Sequence, residues 1–288
     1  MLRTHGRYAY SPIVARPAGT WPNGSGLAVY VALNLEHYAW GEGLVEDLVP
    51  GIPKPDVLNN SWREYGNRVG AWRLLELLRS LSLPVTLLIN SELYAACPEL
   101  IAAFRNERAE IASHGRTNSE HQAGLAEPDE RALIEHVTRT IAEHEGHAPA
   151  GWLSPWIAET ERTPDLLHEA GYRYLLDWCM DDQPVWMTTR SGRILSVPYP
   201  QELNDSAAII GRQVDAQEFA DMVIDQFDEM LEQSQDRQPL VMGIALHAMI
   251  AGQPFRVRAL RRALQHIAAQ RERCWLTTAG AVAGAFAV

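Results

Sequence analysis

The sequence predicts an α/β fold, a parallel sheet of about seven strands closed or nearly closed into an irregular (β/α) barrel. Three observations predict it. Short, near-continuous apolar runs, the mark of strands buried on both faces, recur along the chain. They alternate with segments of helical spacing, and no internal repeat or low-complexity linker interrupts them. Polar and ionisable residues gather just after the apolar runs, at the strand ends where such barrels carry their working groups.

Residues 1–26 are rich in Pro, Gly and aromatics and read as an extended arm, and 27–288 as a single domain. Leu27–Leu35 is the first buried strand. The stretch 38–64, with Pro50, Pro53 and Pro55, reads as a long loop of the kind that forms lids and binding loops. Helical spacing over 69–81 leads into the strand Pro84-Val-Thr-Leu-Leu-Ile-Asn90. A helix over 97–106 opens at Pro98, and a strand over 109–113, a helix over 129–145 and a strand over 151–154 follow. Thr163-Pro164 starts the next helix, with threonine as cap and proline in the first turn, and Gly171 ends it. Strands at 172–176, 194–198 and 239–246, helices at 218–233 and 256–270, and a short strand at 274–278 complete the pattern.

Composition narrows the function. A chain of 288 residues can bury a large core, and 47% hydrophobic residues argue against disorder. A net charge of −11 speaks against binding nucleic acid through its phosphates. Cys97, Cys179 and Cys274 are odd in number and widely spaced, which fits a reducing interior and no disulfide framework. No apolar run approaches the length of a membrane span. The expectation is a cytoplasmic protein with a small-molecule substrate and neither a nucleic-acid nor a membrane partner.

The most informative segment is Glu110-Ile-Ala-Ser-His114-Gly-Arg116-Thr-Asn118. It reads as a short strand that delivers a histidine to its end, then a loop with polar side chains. Asn34, Glu36 and His37, Asn90 and Glu92, Pro155 and Trp156, the stretch 177–182 with Asp181 and Asp182, and His247 stand at the other strand ends. Each has a plainer reading. Glu36 ends a very apolar strand, where a carboxylate needs a partner, but a rim arginine could supply it. His114 could cap a loop, Asn118 could serve a turn, and Asp181-Asp182 could be an acidic turn before Pro184. His121, His136, His144, His147, His168 and His266 read as surface residues. His247 follows an apolar run with no local need for a histidine, which favours function. Trp156 stands where it could wall a pocket.

In this order the motifs resemble the polysaccharide deacetylase (carbohydrate esterase family four) superfamily. Tyr10-Ser-Pro-Ile, Asn34-Leu-Glu36, the stretch 66–72 and Leu246-His247-Ala-Met-Ile-Ala-Gly252-Gln-Pro254 are more closely similar to its allantoinase-like and cyclic imide hydrolase-like branch. The resemblance implies the deacetylase type of barrel, hydrolysis of a non-peptide C–N bond, and a homo-oligomer, a tetramer by analogy. It also implies that Glu36 matches an acidic metal ligand and His114 the first histidine of a His-x-x-x-His pair. Asn118 then stands in the second histidine's place. Asn34 occupies the position of an aspartate base, and Leu153 that of the arginine bracing the base. An amide cannot take up a proton at neutral pH and is a poor zinc ligand.

Two mechanisms follow from these departures. In one, Glu36 and His114, helped by Asn118 or by His37, hold a divalent ion such as zinc that polarises the scissile carbonyl and lowers the pKa of its water. In the other, which is favoured, no metal is used. Glu36 or Asp182 acts as base towards water, Asn118 and a backbone N–H stabilise the oxyanion, and His247 protonates the leaving nitrogen. Asn34, Arg116, Asn118, Trp156 and Asp181 are the candidate substrate-binding residues, with Arg116 for a ureido or carboxylate group. The expected substrate is a small cyclic amide of the allantoin, hydantoin or imide type. The alternatives are a metal-dependent N-deacetylase of an N-acylated small molecule or sugar, and a non-catalytic ligand-binding protein on a degenerated barrel.

Overall fold

The computed structural model describes residues 4–236 and 238–287. The first half of the chain runs β1 (Leu27–Leu35), α1 (Val57–Tyr65), α2 (Ala71–Ser80), β2 (Val85–Ile89), α3 (Leu93–Ala96), α4 (Pro98–Asn106), β3 (Glu110–Ser113), α5 (Glu127–Glu145) and β4 (Gly151–Trp152). It continues through α6 (Thr163–Glu169), β5 (Tyr174–Leu175), β6 (Val185–Thr189), β7 (Gly192–Ser196), α7 (Ala216–Gln233), β8 (Leu240–His247), α8 (Ala248–Ala251), α9 (Pro254–Ala269), β9 (Trp275–Thr277) and α10 (Ala279–Phe286).

The strands form one curled sheet in the order β6-β7-β5-β4-β3-β2-β1-β8, parallel throughout except for the β6–β7 hairpin. β8 lines one edge of β1 along nearly its whole length. The other edge is shared, with β9 against Ala28 to Tyr30 and β2 against Val31 to Leu35. The free side of β8 is bridged by irregular chain: Val241 N–H donates to the Asp182 carbonyl, and Ala245 N–H to the Leu203 carbonyl. The barrel is therefore closed by loops rather than by a further strand, in keeping with the deacetylase type that the sequence resembles.

Strand alternation decides what faces the interior. On β1 the odd residues Leu27, Val29, Val31, Leu33 and Leu35 pack outward into the layer between sheet and helices. The even residues Ala28, Tyr30 and Ala32 pack inward with Leu88, Ala112, Tyr174, Val241 and Ala245. Continuing the same parity towards the C-terminal ends brings Asn34 and Glu36 inward from β1, Asn90 from β2, His114 from β3 and His247 from β8. At the opposite mouth Glu110 accepts hydrogen bonds from Thr86 Oγ1, Tyr174 OH and Gly280 N–H, all at 2.9 Å. This pins α10 across the bottom of the barrel.

Besides the single-turn helices α3 and α8, which the sequence reading did not assign, three elements depart from it. Part of the predicted loop 38–64 is α1, whose Asp56 cap accepts from Asn59 N–H at 3.0 Å. Its buried residues are Asn59, Asn60, Trp62 and Arg63, so the helix lacks the apolar stripe by which helices are recognised. β6 is an edge strand of mixed polarity, paired antiparallel with β7. α10 is built from Ala, Gly, Val and Phe and shows no polar face to set its period.

Candidate active site

Glu36 is the hub at the C-terminal mouth. It is buried, with 7% of its surface exposed, and both carboxylate oxygens are engaged. Oε1 accepts from Asn118 Nδ2 at 2.6 Å and lies 3.4 Å from His114 Nε2 and 3.6 Å from His247 Nε2. Oε2 accepts from Tyr38 OH at 2.6 Å. Burial alone would raise the proton affinity of this carboxyl. The His247 charge, the His114 contact and the Tyr38 hydrogen bond outweigh it, and the carboxyl is held below its usual range.

The two histidines are oriented differently. His114 Nδ1 lies 2.9 Å from the Leu153 carbonyl. A carbonyl only accepts, so Nδ1 carries a proton and donates to Leu153, which turns Nε2 toward Glu36 Oε1. His247 Nδ1 lies 2.6 Å from Asp205 Oδ1, and its backbone N–H also donates to that carboxylate. Burial pulls against protonation of His247, but the charges of Glu36 and Asp205 prevail and push it up to about 9. At neutral pH the site holds an imidazolium at His247 with its Nε2–H facing Glu36.

The orientation of Asn118 is forced by a chain of hydrogen bonds. Asn90 Oδ1 accepts from His37 N–H at 2.7 Å, so Asn90 Nδ2 must face the other way, toward the His114 carbonyl and Asn118 Oδ1. Asn118 Oδ1 is thereby the acceptor from Asn90 at 3.2 Å, and its NH2 group is the one that meets Glu36. Asn34 is fixed in a similar way. Its Nδ2 donates to the Leu246 carbonyl at 3.1 Å and to Tyr199 OH at 3.2 Å, leaving Oδ1 buried without a partner among the described residues.

The proposed metal set of Glu36, His114 and Asn118 does not fit a zinc ion. Asn118 presents hydrogens, not a lone pair, which leaves Glu36 and His114 as a two-ligand set, short of the three or four protein ligands that a zinc site uses. His37 serves through its backbone, as donor to Asn90 and as acceptor from Asn118 N–H, and adds no ligand. Among the described residues no group of three or more His, Cys, Asp or Glu is disposed to hold a metal.

These side chains line a cavity of about 280 Å³, with Asn34, Glu46, Leu153, Trp156, Tyr199, Gln201 and Asn204 among its walls. Trp156 and Ile157 both adopt left-handed backbone, with φ of 63° and 52°, a strained pair that Trp156 Nε1 helps to hold by donating to the Asn118 carbonyl at 2.9 Å.

Three residues named from the sequence lie elsewhere. Asp182 bonds through its carbonyl to Val241, six residues before His247 on β8, and so sits about 20 Å down the barrel from the Glu36 cluster. Asp181 pairs with Arg16 at 2.5 Å in the same region. Together they border a separate hollow of about 460 Å³. Asp182 is therefore not placed to act as base in the Glu36 cavity, nor Asp181 to touch a substrate there. Arg116 is exposed and forked onto Glu120, at 2.8 and 2.6 Å, so its guanidinium points away from the cavity. Conversely, Asp205, Tyr38 and Glu46 belong to the site and were not singled out from the sequence. Tyr38 and Glu46 sit on the loop after β1 and Asp205 leads the helical turn Ser206–Gly211, where no strand parity announces an inward side chain.

Residues 64–175 match the family described as Polysaccharide deacetylase. A curated Schizosaccharomyces pombe protein named "Putative polysaccharide deacetylase" is 25% identical over 310 residues, spanning 96% of this chain and 94% of that protein. Two solved structures superpose along almost the full length. A probable polysaccharide deacetylase from Pseudomonas aeruginosa is 26% identical with a TM-score of 0.82, covering 96% of this chain and 97% of the other. Puue allantoinase is 26% identical with a TM-score of 0.83, covering 99% and 96%. The chain thus matches the polysaccharide deacetylase family over residues 64–175 and is similar along nearly its whole length to an allantoinase structure, and both likenesses support a hydrolase of carbon–nitrogen amide bonds. Among the described residues no helix is long and apolar enough to cross a membrane.

Proposed function

We propose that this enzyme opens the ring of a small cyclic amide, of the hydantoin, ureide or imide type, without a metal ion. The observation that carries the reading is the forced orientation of Asn118, which turns the Glu36 carboxylate into the centre of a hydrogen-bonded acid–base cluster. The small cavity and the likeness to an allantoinase along the whole chain support a compact ring over a polymer.

In this reading a water molecule between His114 and the substrate attacks the ring carbonyl carbon. Its proton passes to the His114 Nε2 lone pair. The His247 imidazolium faces the tetrahedral oxyanion and stabilises it, and then gives its Nε2 proton to the leaving ring nitrogen as the C–N bond breaks. Glu36 holds the two imidazoles and the attacking water in register. Its Oε1 is within 3.6 Å of both Nε2 atoms, which lets the proton taken up by His114 return to His247 through the carboxylate. The products are a carboxylic acid, which ionises, and the freed nitrogen group. A strained or activated ring amide needs less electrophilic help than an N-acetyl group, in keeping with a site built from hydrogen-bond donors alone.

The test is turnover of a panel containing hydantoin, dihydrouracil, succinimide, allantoin and N-acetylglucosamine. One or more ring compounds should be hydrolysed, with Glu36→Gln and His247→Ala each losing about 10³-fold in kcat/KM. The names of the deacetylase relatives keep one second reading in play, and turnover of the N-acetyl sugar alone would establish it. Binding without turnover of every panel member would instead mark a ligand-binding protein. A cytoplasmic homo-oligomer belongs to the same proposal. Exposed apolar side chains at Trp40, Val57, Leu58 and Phe255 support association, and light scattering of the purified protein decides it.

A further inference from the structure

We propose that Glu46, carried over the cavity by the loop between β1 and α1, is the residue that selects the substrate. By accepting hydrogen bonds from substrate N–H groups it restricts the site to uncharged, N–H-bearing rings and rejects rings that carry a carboxylate. This rests on the ring-amide reading above and goes beyond it by assigning substrate charge and the residue that reads it.

Glu46 lines the same cavity as Glu36 and His247. Its Oε1 accepts from Ser206 Oγ at 3.1 Å, and among the described residues no hydrogen bond reaches its Oε2. The loop that presents it is fixed at both ends. Ala39 N–H donates to Ser119 Oγ at 2.8 Å and Leu44 N–H to the Ser119 carbonyl at 2.9 Å. The buried Arg63 donates to the Glu46 carbonyl at 2.7 Å, pairs with Asp47 at 3.2 Å and lies over the Tyr38 ring. Arg63 thus holds Glu46 in place through the backbone and leaves the carboxylate unneutralised. Burial pushes the Glu46 carboxyl up from its usual range, with His247 opposing and Glu36 adding to the push. A donor on the substrate would relieve that cost.

A second acceptor faces the same need. Asn34 lines the cavity, and its Oδ1 is buried without a partner among the described residues because the Leu246 carbonyl fixes the opposite end of the amide. No arginine or lysine is among the cavity-lining residues. Glu36 and Glu46 line the cavity with His247 as the cation in its wall, while Asp205 and the Arg256 charge beside it lie behind, so a substrate carboxylate would meet like charge and find no free partner among the lining residues. A ring N–H would satisfy an acceptor that is otherwise left unpaired, and sites built in this way discriminate strongly against analogues lacking the donor.

The experiment compares hydantoin, its N-methylated analogues and hydantoin-5-acetate in the wild type and in Glu46→Gln. The wild type should prefer hydantoin to both analogues. Glu46→Gln should raise the KM for hydantoin by about tenfold with a smaller change in kcat, and shrink both preferences. If Glu46 merely braces the loop, all three compounds fall by the same factor and the preferences survive, which overturns the inference. If no ring compound is turned over, the ring-opening reading fails on its own. Calorimetric binding of the same three compounds to Glu36→Gln and to Glu36→Gln/Glu46→Gln then tests the selection separately. Equal affinities in both variants, or no binding in either, would overturn it.

Discussion

His247 Nδ1 lies 2.6 Å from Asp205 Oδ1, and the same carboxylate accepts the His247 backbone N–H with both its oxygens. This contact fixes the ring, directs Nε2 at Glu36 and keeps the imidazole charged to about pH 9. The sign follows directly. A histidine raised in the folded state stabilises the fold fully below its ordinary value near 6.5, and that contribution is lost as pH rises through 9. The shift corresponds to roughly 3 kcal/mol. Urea midpoints should therefore fall between pH 7 and 10. kcat/KM should carry an alkaline limb near 9 that Asp205→Asn moves to lower pH. An alkaline limb unmoved in Asp205→Asn would mean that another group sets it.

Asn118 donates to Glu36 because Asn90 leaves it no other orientation. Replacing its NH2 with an oxygen, in Asn118→Asp, sets two carboxylates against each other at about the present 2.6 Å. One of them must take up a proton. Activity at neutral pH should drop by about 100-fold while the fold is retained. Dialysis of the wild type against a chelator, followed by assay with and without added zinc, should leave kcat unchanged. A chelator-dependent loss restored by zinc would show that the donor network rearranges around an ion.

Asp182 and Arg116 serve as spatial controls. The first lies at the level of Val241 and the second is forked onto Glu120. Asp182→Asn and Arg116→Ala should keep kcat/KM within about twofold of the wild type, as expected for substitutions remote from the reacting groups. A tenfold loss in either would mean that its loop closes over the substrate.

Gly43 turns the loop at φ +71°, and a Cβ there would come within 2.1 Å of the Ser119 carbonyl. That carbonyl also accepts from Leu44 N–H, so Gly43→Ala should detach the loop from the segment bearing Asn118. Global stability should change by about 1–2 kcal/mol, from the left-handed backbone and the clash. The larger effect should be on KM, because Glu46 moves with the loop. Unfolding titrations and steady-state kinetics on the same preparation separate the two.

The sequence by itself determined the α/β alternation and the positions of the long strands. Apolar runs such as Leu27–Leu35 and the stretch before His247 are local signals that survive any packing, since a strand buried on both faces has little choice of composition. Their place at the ends of such runs made Glu36, His114 and His247 legible as candidates, and strand parity in the folded sheet turns them inward. α1 and α10 were not legible, one because its buried face is amide and guanidinium around a single tryptophan, the other because it lacks a polar face. Only the tertiary structure decided which loop residues join the cluster. Asp205 reaches His247 across 42 positions, and Glu46 reaches Ser206 across 160. It also decided the sense of Asn118, which depends on a backbone N–H at His37, and the exclusion of Asp182, which depends on how the chain bridges the free side of β8. A strand fixes its side chains by a two-residue period, whereas a loop takes its direction from whatever distant group satisfies its hydrogen bonds.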